Sequence, residues 1–439
     1  MQPMRIAKLE IDNIGPFEDL TLEFPNKPAG TERKAEIHIL TGENGTGKTT
    51  ILEIMANLID TKGAHTSKLY YKFKQDLIVS TSIYFDNRSG DLLDIGEIEH
   101  HKLSYLRNMK DGKEEHSTPN ILFNFKSNAH DASASSSKAF FAYSGYRKVS
   151  TVGINGIKEI DEHPFSTALD FQKTANPNLI LQWIANTISA EAIALVQKAY
   201  EEAQQRRQAI RDLEEAISGI INKPLSFTLE TKPYAVKVDI DGERLAFDQL
   251  PDGLKSILSW LADLLMRMDR VKWENDIPVF ERNFILFLDE IEIHMHPAWQ
   301  RKILPAVQGL FPNAQIIVST HSPFIVGSVD GAWIHKLVRN NGKSYLSDGY
   351  PMRSEDAKSY RYWLEEVFDV NSEYGLGADK QLQDFYSLRN DILKGSNGSA
   401  YESIVEAGRL LADQSEEIRQ IIEMELRQIN RRMNLQLHL

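Results

Sequence analysis

The feature that most constrains this chain is the stretch GENGTGKTT, Gly42 to Thr50, with the apolar run Ile37-His38-Ile39-Leu40 before it and the helical pattern ILEIMANLI after it. It fits G-x-x-x-x-G-K-S/T between a strand and a helix, which requires an α/β fold around the loop. Glycines let backbone N–H groups wrap a polyphosphate, and the N-terminus of the following helix adds its positive dipole. Gly42, Asn44, Gly45, Thr46, Gly47 and Thr50 form that cradle. Lys48 is placed to reach β- and γ-phosphates, and the Thr49 hydroxyl to ligate Mg²⁺. Far downstream, FILFLDE (Phe284 to Glu290) is an apolar strand ending in two carboxylates, and IIVSTHS (Ile316 to Ser322) a second one ending in His321. The three segments together imply a site for a nucleoside triphosphate, with ATP and Mg²⁺ as the expected ligands.

At 439 residues and 42% hydrophobic the chain can bury a large core, and its length allows two or three domains. No apolar run of about 18 residues occurs, so no membrane partner is expected. The N-terminus alternates like a strand and lacks the charged-then-apolar layout of a signal peptide. Cysteine is absent, which excludes disulfides and thiolate metal sites and fits a reducing, cytoplasmic setting. The net charge of −12 advertises no global nucleic-acid stripe.

Along the chain, RIAKLEIDNI and LTLEF read as two strands joined by a turn at Gly15-Pro16. LIVSTSIYFD, KLSYLRNM and ILFNFK, between Leu77 and Phe125, predict an antiparallel β-subdomain. Asn128 to Lys138 is Ser/Ala-rich and reads as a mobile loop. FFAYSGYR, Phe140 to Arg147, reads as a buried strand ending at a functional edge. Leu179 to Ile221 has helical periodicity, yet it offers only about 40 residues and no returning partner of similar length, so a helical insertion is preferred to a coiled-coil arm. From about Tyr350 the pattern is helical to the end. The expected domains are residues 1–175 and 223–348 as two lobes of one head, 176–222 as the insertion, and 349–439 as a helical tail for oligomerisation or partner binding.

Asp289 and Glu290 end an apolar strand, where an α/β sheet places its ligand groups. Asp289 is the second expected holder of Mg²⁺, and Glu290 the expected base or orienter of an attacking water. His294 and His296 invite a metal, but catalytic zinc normally takes three protein ligands, and the segment is read instead as a loop coupling two sites across a dimer. Arg147 serves equally well as a phosphate, interface or structural arginine. Arg427, Arg431 and Arg432 read as a solvated helix face.

The order of glycine loop, LPDGLKSILSW (Leu250 to Trp260), DE strand and His strand resembles that of ABC-type ATPases. The fold class implied is an α/β, ABC-type P-loop head with a mixed sheet and an antiparallel β-subdomain, a helical insertion and an all-α C-terminal region. The resemblance puts His321 where those ATPases sense the γ-phosphate. It makes LPDG a signature-like segment whose Gly253 would offer helix N–H groups to the γ-phosphate bound by a second copy. The usual serine is replaced by Pro251, and Asp252 is expected to cap the helix in its place. FFAYSGYR lies where a Mg²⁺-contacting glutamine would stand and has none.

LDEIEIHMHP and LPDG are similar to the soluble ATPases related to the RecF, OLD and SMC proteins rather than to transporters. The segment from Tyr360 to Leu439 is similar to the helical tail of the PtuA-like ATPases of Septu and some retron antiphage systems. The resemblance implies an ATPase without its own nuclease site, a separate HNH nuclease of PtuB type as partner, self-association head to head and further, and DNA reached through the complex. The alternatives are a RecF-like repair ATPase acting without a nuclease and, last, a transporter subunit.

Overall fold

The computed structural model describes residues 4–31, 33–60, 78–88, 98–108, 113–117, 135–145, 153–171, 173, 175–355, 357–372, 374–395 and 399–439. The strand expected at ILFNFK, residue Arg147 and most of the Ser/Ala-rich loop lie outside the described residues. The chain forms two compact units, Met1–Trp363 and Leu364–Leu439.

The first unit is built on a sheet whose strand order follows from sequence chemistry. β3 (Glu36–Gly42), β7 (Ala139–Tyr143), β11 (Phe284–Leu288) and β12 (Gln315–Ser319) are buried almost residue for residue. Continuous apolar runs of this kind suit parallel strands covered on both faces. With β13 (Trp333–Asn340) they align in parallel as β13-β3-β12-β11-β7, and β14 (Lys343–Leu346) and β15 (Met352–Arg353) add to β13 antiparallel. The register sets Leu288 beside Val318, Ser319 beside Leu40 and Gly42 beside Leu337. The glycine loop, the two carboxylates and His321 therefore leave one edge of the sheet together.

The antiparallel subdomain has the order β2-β1-β4-β5-β6, from β1 (Arg5–Ile14), β2 (Phe17–Glu23), β4 (Ile78–Arg88), β5 (Ile98–Asn108) and β6 (Glu114–Ser117). Alternation in sequence becomes a buried row across four strands, Leu22, Leu9, Ile83 and Leu103. A polar seam ties this subdomain to the main sheet. Arg5 donates to Glu36 at 2.8–3.0 Å, and the Gln315 amide both bonds Glu36 (2.7 Å) and grips the main chain of Ile6 (2.7 and 2.8 Å). His38 meets Glu36 at 2.8 Å from the other side.

α1 (Lys48–Ile59) follows the glycine loop. The insertion is two helices, α2 (Pro177–Val196) and α3 (Tyr200–Ile221), packed on each other. The returning partner judged absent from the sequence is thus inside the stretch itself, created where Lys198 turns at φ 61°. α2 is the one described helix long and apolar enough to cross a membrane, and its Ile180, Leu181, Trp183 and Ile184 are buried in the protein. A small antiparallel sheet, β8 (Leu225–Thr231), β9 (Tyr234–Ile240) and β10 (Glu243–Ala246), leads into α4 (Asp252–Arg270), which is buried along most of its length. Its Asp263 accepts from Arg267 (2.6 Å) and from the Tyr143 hydroxyl (2.9 Å), anchoring α4 to β7. α5 (Pro297–Leu310) and α6 (Pro323–Val326) follow β11 and β12.

α7 (Tyr360–Glu366) follows β15 along the chain. The second unit packs α8 (Leu376–Leu393), α9 (Ser399–Ala412) and α10 (Glu416–Met433) around Phe385, Ile392, Ile404, Ile422 and Leu426. Ser415 caps α10 through the Ile418 N–H, and Arg389 pairs with Glu425 at 2.7 Å. The α/β class with mixed and antiparallel sheets and an all-helical C-terminal region agrees with the sequence reading.

Candidate nucleotide-binding site

A cleft of about 820 Å³ opens at the shared sheet edge, walled in part by the β1–β2 turn and the β13–β14 hairpin. Asn44, Gly45, Gly47, Lys48, Thr49, Thr50, Glu290 and His321 all line it. Gly42 and Thr46 lie within the same loop, and Thr46 is buried with its hydroxyl bonded to the Glu43 carbonyl at 2.8 Å. Gly47 has φ 98°, and a Cβ there would stand 2.5 Å from Phe17 Cζ and 2.7 Å from Pro16 Cγ. The loop therefore rests on the β1–β2 turn, and only glycine permits both the backbone and the approach.

Lys48 Nζ donates to the carbonyls of Gly42 (2.9 Å) and Glu43 (3.0 Å), at the centre of the cradle. Burial pulls its ammonium below the usual lysine range, against the upward pull of Asp289, Glu290 and Glu292. The Thr49 hydroxyl is 3.0 Å from both oxygens of Asp289, and Ser319 Oγ donates to the same carboxylate at 2.5 Å. A hydroxyl beside a carboxylate at a phosphate cradle is an all-oxygen donor set, as a small hard cation such as Mg²⁺ requires. Thr49 and Asp289 therefore fit the ion.

Ser319 also accepts the Glu290 N–H at 2.8 Å, which fixes Glu290 in a left-handed conformation at φ 46°. Burial and then the neighbouring Asp289 raise the Glu290 carboxyl above its usual range. One turn on, Glu292 accepts the His321 N–H at 2.5 Å. His321 is half-buried, and burial followed by Lys48 lowers its imidazole below the usual range, leaving it neutral near pH 7. Ser322 Oγ donates to Gln300 at 2.5 Å, and Gln300 returns a bond to the Met295 carbonyl at 2.9 Å. The ends of β11 and β12 are thus bonded to each other at several points.

Gly253 is buried at the start of α4 and is not among the residues lining this cleft; a Cβ would lie 2.5 Å from the His294 carbonyl. The cap expected of Asp252 is not formed. Pro251 occupies the cap position without a side-chain bond, because Asp252 has already entered the first turn, where it pairs with Lys255 at 3.2 Å. His296 uses Nδ1 to cap α5 through the Ala298 N–H at 3.2 Å. Four participants escaped sequence reasoning: Ser319, Glu292, the turn from Asn13 to Phe17, and Arg339. Ser319 and Glu292 stood inside motifs already singled out, whereas Arg339 carries no motif signal.

Residues 37–327 match the family described as "AAA domain, putative AbiEii toxin, Type IV TA system". The chain is 30% identical to the Retron Ec83 probable ATPase of Escherichia coli over 163 residues, 37% of this chain and 29% of that protein. It is 22% identical to the Septu protein PtuA of Bacillus thuringiensis over 349 residues, 76% of this chain and 75% of the relative. Among solved structures, the SMC head domain from Thermotoga maritima aligns with 78% of the chain at 14% identity and a TM-score of 0.43. The chain spans less than a third of the retron protein's length, while the family match runs from β3 through the glycine loop and both strand-end motifs to the end of α6. It is similar to Septu PtuA and to a retron ATPase, and it belongs to that AAA-domain family.

Proposed function

We propose that this chain binds and hydrolyses ATP as the ABC-type ATPase subunit of an antiphage defence complex. The observation that carries the proposal is the meeting of Lys48, Thr49, Glu290 and His321 in one cleft, with the buried Asp289 carboxylate 3.0 Å from the Thr49 hydroxyl. Loop N–H groups and Lys48 hold the β- and γ-phosphates. Thr49 and Asp289 hold Mg²⁺, which supplies neutralisation of phosphate charge when bound. Glu290, its carboxyl raised by burial, orients a water and takes its proton as the water oxygen attacks the γ-phosphorus. The bond to the β–γ bridging oxygen breaks and ADP leaves. His321, neutral, donates one N–H to a γ-phosphate oxygen. Catalysis rests on positioning and charge rather than on a covalent intermediate.

The finer reading adds a separate nuclease, of HNH type, regulated by nucleotide state. It also adds head-to-head pairing in which the α4 N-terminus at Gly253 meets the partner's γ-phosphate, further assembly through the helical second unit, DNA engaged through the complex, and a cytoplasmic location. Its support is the likeness to PtuA and retron ATPases. The test is a tagged pull-down from the native locus with its flanking genes, followed by sizing, Mg²⁺-dependent phosphate release and a DNA-cleavage assay, repeated with Lys48→Ala. A stoichiometric nuclease whose activity changes with ATP, and changes no longer in the variant, supports the reading. Undiminished ATP affinity in Lys48→Ala sinks the nucleotide site. A lone dimer that binds DNA with a steep salt slope moves the assignment to repair.

A further inference from the structure

The cleft is lined by more than its phosphate-handling residues, reaching Arg339, Gly342 and Lys343 on the β13–β14 hairpin. Asp289, Glu290 and His321 follow β11 and β12, on one side of β3; β13 pairs with β3 on the other side. Gly42 is in register with Leu337, so Arg339 lies on β13 two residues past the end of β3, flanking the glycine loop on the side away from β11 and β12. It lines the same cleft and donates from Nη1 to the Gly45 carbonyl at 3.0 Å. The hairpin carrying it is pinned to the β1–β2 turn by the Ser344 N–H to the Pro16 carbonyl at 2.8 Å. Lys343, the other cation at this end, pairs with Glu18. Arg339 is exposed and spends a single bond on the protein among the described residues, leaving most of its five N–H donors and both guanidinium faces uncommitted.

A nucleotide whose γ-phosphate lies toward β11 and β12 must direct its nucleoside toward β13. We infer that Arg339 receives the nucleoside end of the bound nucleotide, its planar guanidinium packed on the base. A planar cation suits that task where an ammonium does not, because it stacks on aromatic faces. The inference rests on the nucleotide occupying this cleft, and it adds a contact that acts equally on ATP and ADP because both carry the same nucleoside.

The experiment is calorimetric titration of the full chain with MgATP, MgADP and magnesium tripolyphosphate, for wild type, Arg339→Ala, Arg339→Lys and Lys48→Ala. Loss of a base stacked on a side chain weakens binding by about fivefold or more. Arg339→Ala should weaken ATP and ADP by that factor alike and leave tripolyphosphate within about twofold. Arg339→Lys, which keeps the charge and loses the plane, should remain weakened. Equal loss of tripolyphosphate binding would overturn the inference, since Arg339 would then act only as a latch on Gly45. Wild-type ATP affinity in both Arg339 variants, with Lys48→Ala still defective, would overturn it while sparing the nucleotide site. Wild-type affinity in Lys48→Ala would instead remove the site itself.

Discussion

Glu292→Ala isolates the coupling between the two strand ends. The substitution removes the acceptor that holds the His321 N–H at 2.5 Å, on a turn three residues beyond Asp289. A hydrogen bond to a carboxylate contributes about 1.5–3 kcal/mol, and a donor left inside without one costs a similar amount. Burial already raises the Glu292 carboxyl, so removing it recovers part of its desolvation cost, and a net loss of about 2 kcal/mol follows. In the proposed function His321 meets the γ-phosphate, so that loss would fall on the ATP-bound transition state. Two kcal/mol corresponds to a fall of about thirtyfold in kcat. ADP, which lacks the γ-phosphate, should bind as it does to wild type. Glu292→Gln keeps an oxygen acceptor of the same shape and should restore most of the rate. The assay is steady-state phosphate release for kcat and KM, with ADP titration and thermal melting on the same samples. A kcat for Glu292→Ala within twofold of wild type would refute the reasoning, as would ADP affinity falling in step with kcat.

Glu290→Gln should abolish turnover while keeping MgATP bound, and single-turnover phosphate release at the wild-type rate would place the base elsewhere. Gly253→Ala sets a Cβ 2.5 Å from a main-chain carbonyl; overpacking of about 1–3 kcal/mol outweighs a helix-propensity gain of at most about 1 kcal/mol. Its urea midpoint should fall with the slope unchanged, and an unchanged midpoint would mean that the His294 turn yields freely. Glu36 tests the polar seam through pH. Burial pushes its carboxyl up, but the bond to His38 and the charges of His38 and Arg5 outweigh burial and bring it from 4.5 to about 2. A depressed native pKa stabilises above the unfolded value and ceases to do so as pH falls through the native one. Glu36 should therefore contribute about 3 kcal/mol above pH 4.5 and lose it progressively toward pH 2. Measured by urea unfolding, the gap between wild type and Glu36→Gln should narrow over that window; a constant gap would show that the carboxylate is not held by its partners.

Much of the head was legible because its strands are chemically unambiguous. FILFL is an uninterrupted apolar run that stops at Asp289, and IIV one followed by Ser-Thr-His, so both the strands and their functional ends could be read directly. The β1–β2 hairpin was equally clear from alternation around Gly15-Pro16. The break between α2 and α3 was not, because the left-handed residue there is Lys198, with no glycine, proline or asparagine to mark it. Contacts of long range were also hidden. Ser319 bonds a carboxylate 30 residues upstream and Arg339 a carbonyl 294 residues upstream. Both depend on strand order, which one sequence does not encode in any local pattern. Asp252 misled because a good capping residue stood one position inside the helix rather than at its boundary.

The turn from Asp289 to His294 touches three things at once: the cation-binding pair through Asp289, the β12 end through Glu290 and Glu292, and the start of α4 through the His294 carbonyl against Gly253. It therefore works as a fulcrum. Displacing this turn would press the His294 main-chain carbonyl on the first turn of α4 without an intermediary, rather than reorient a side chain.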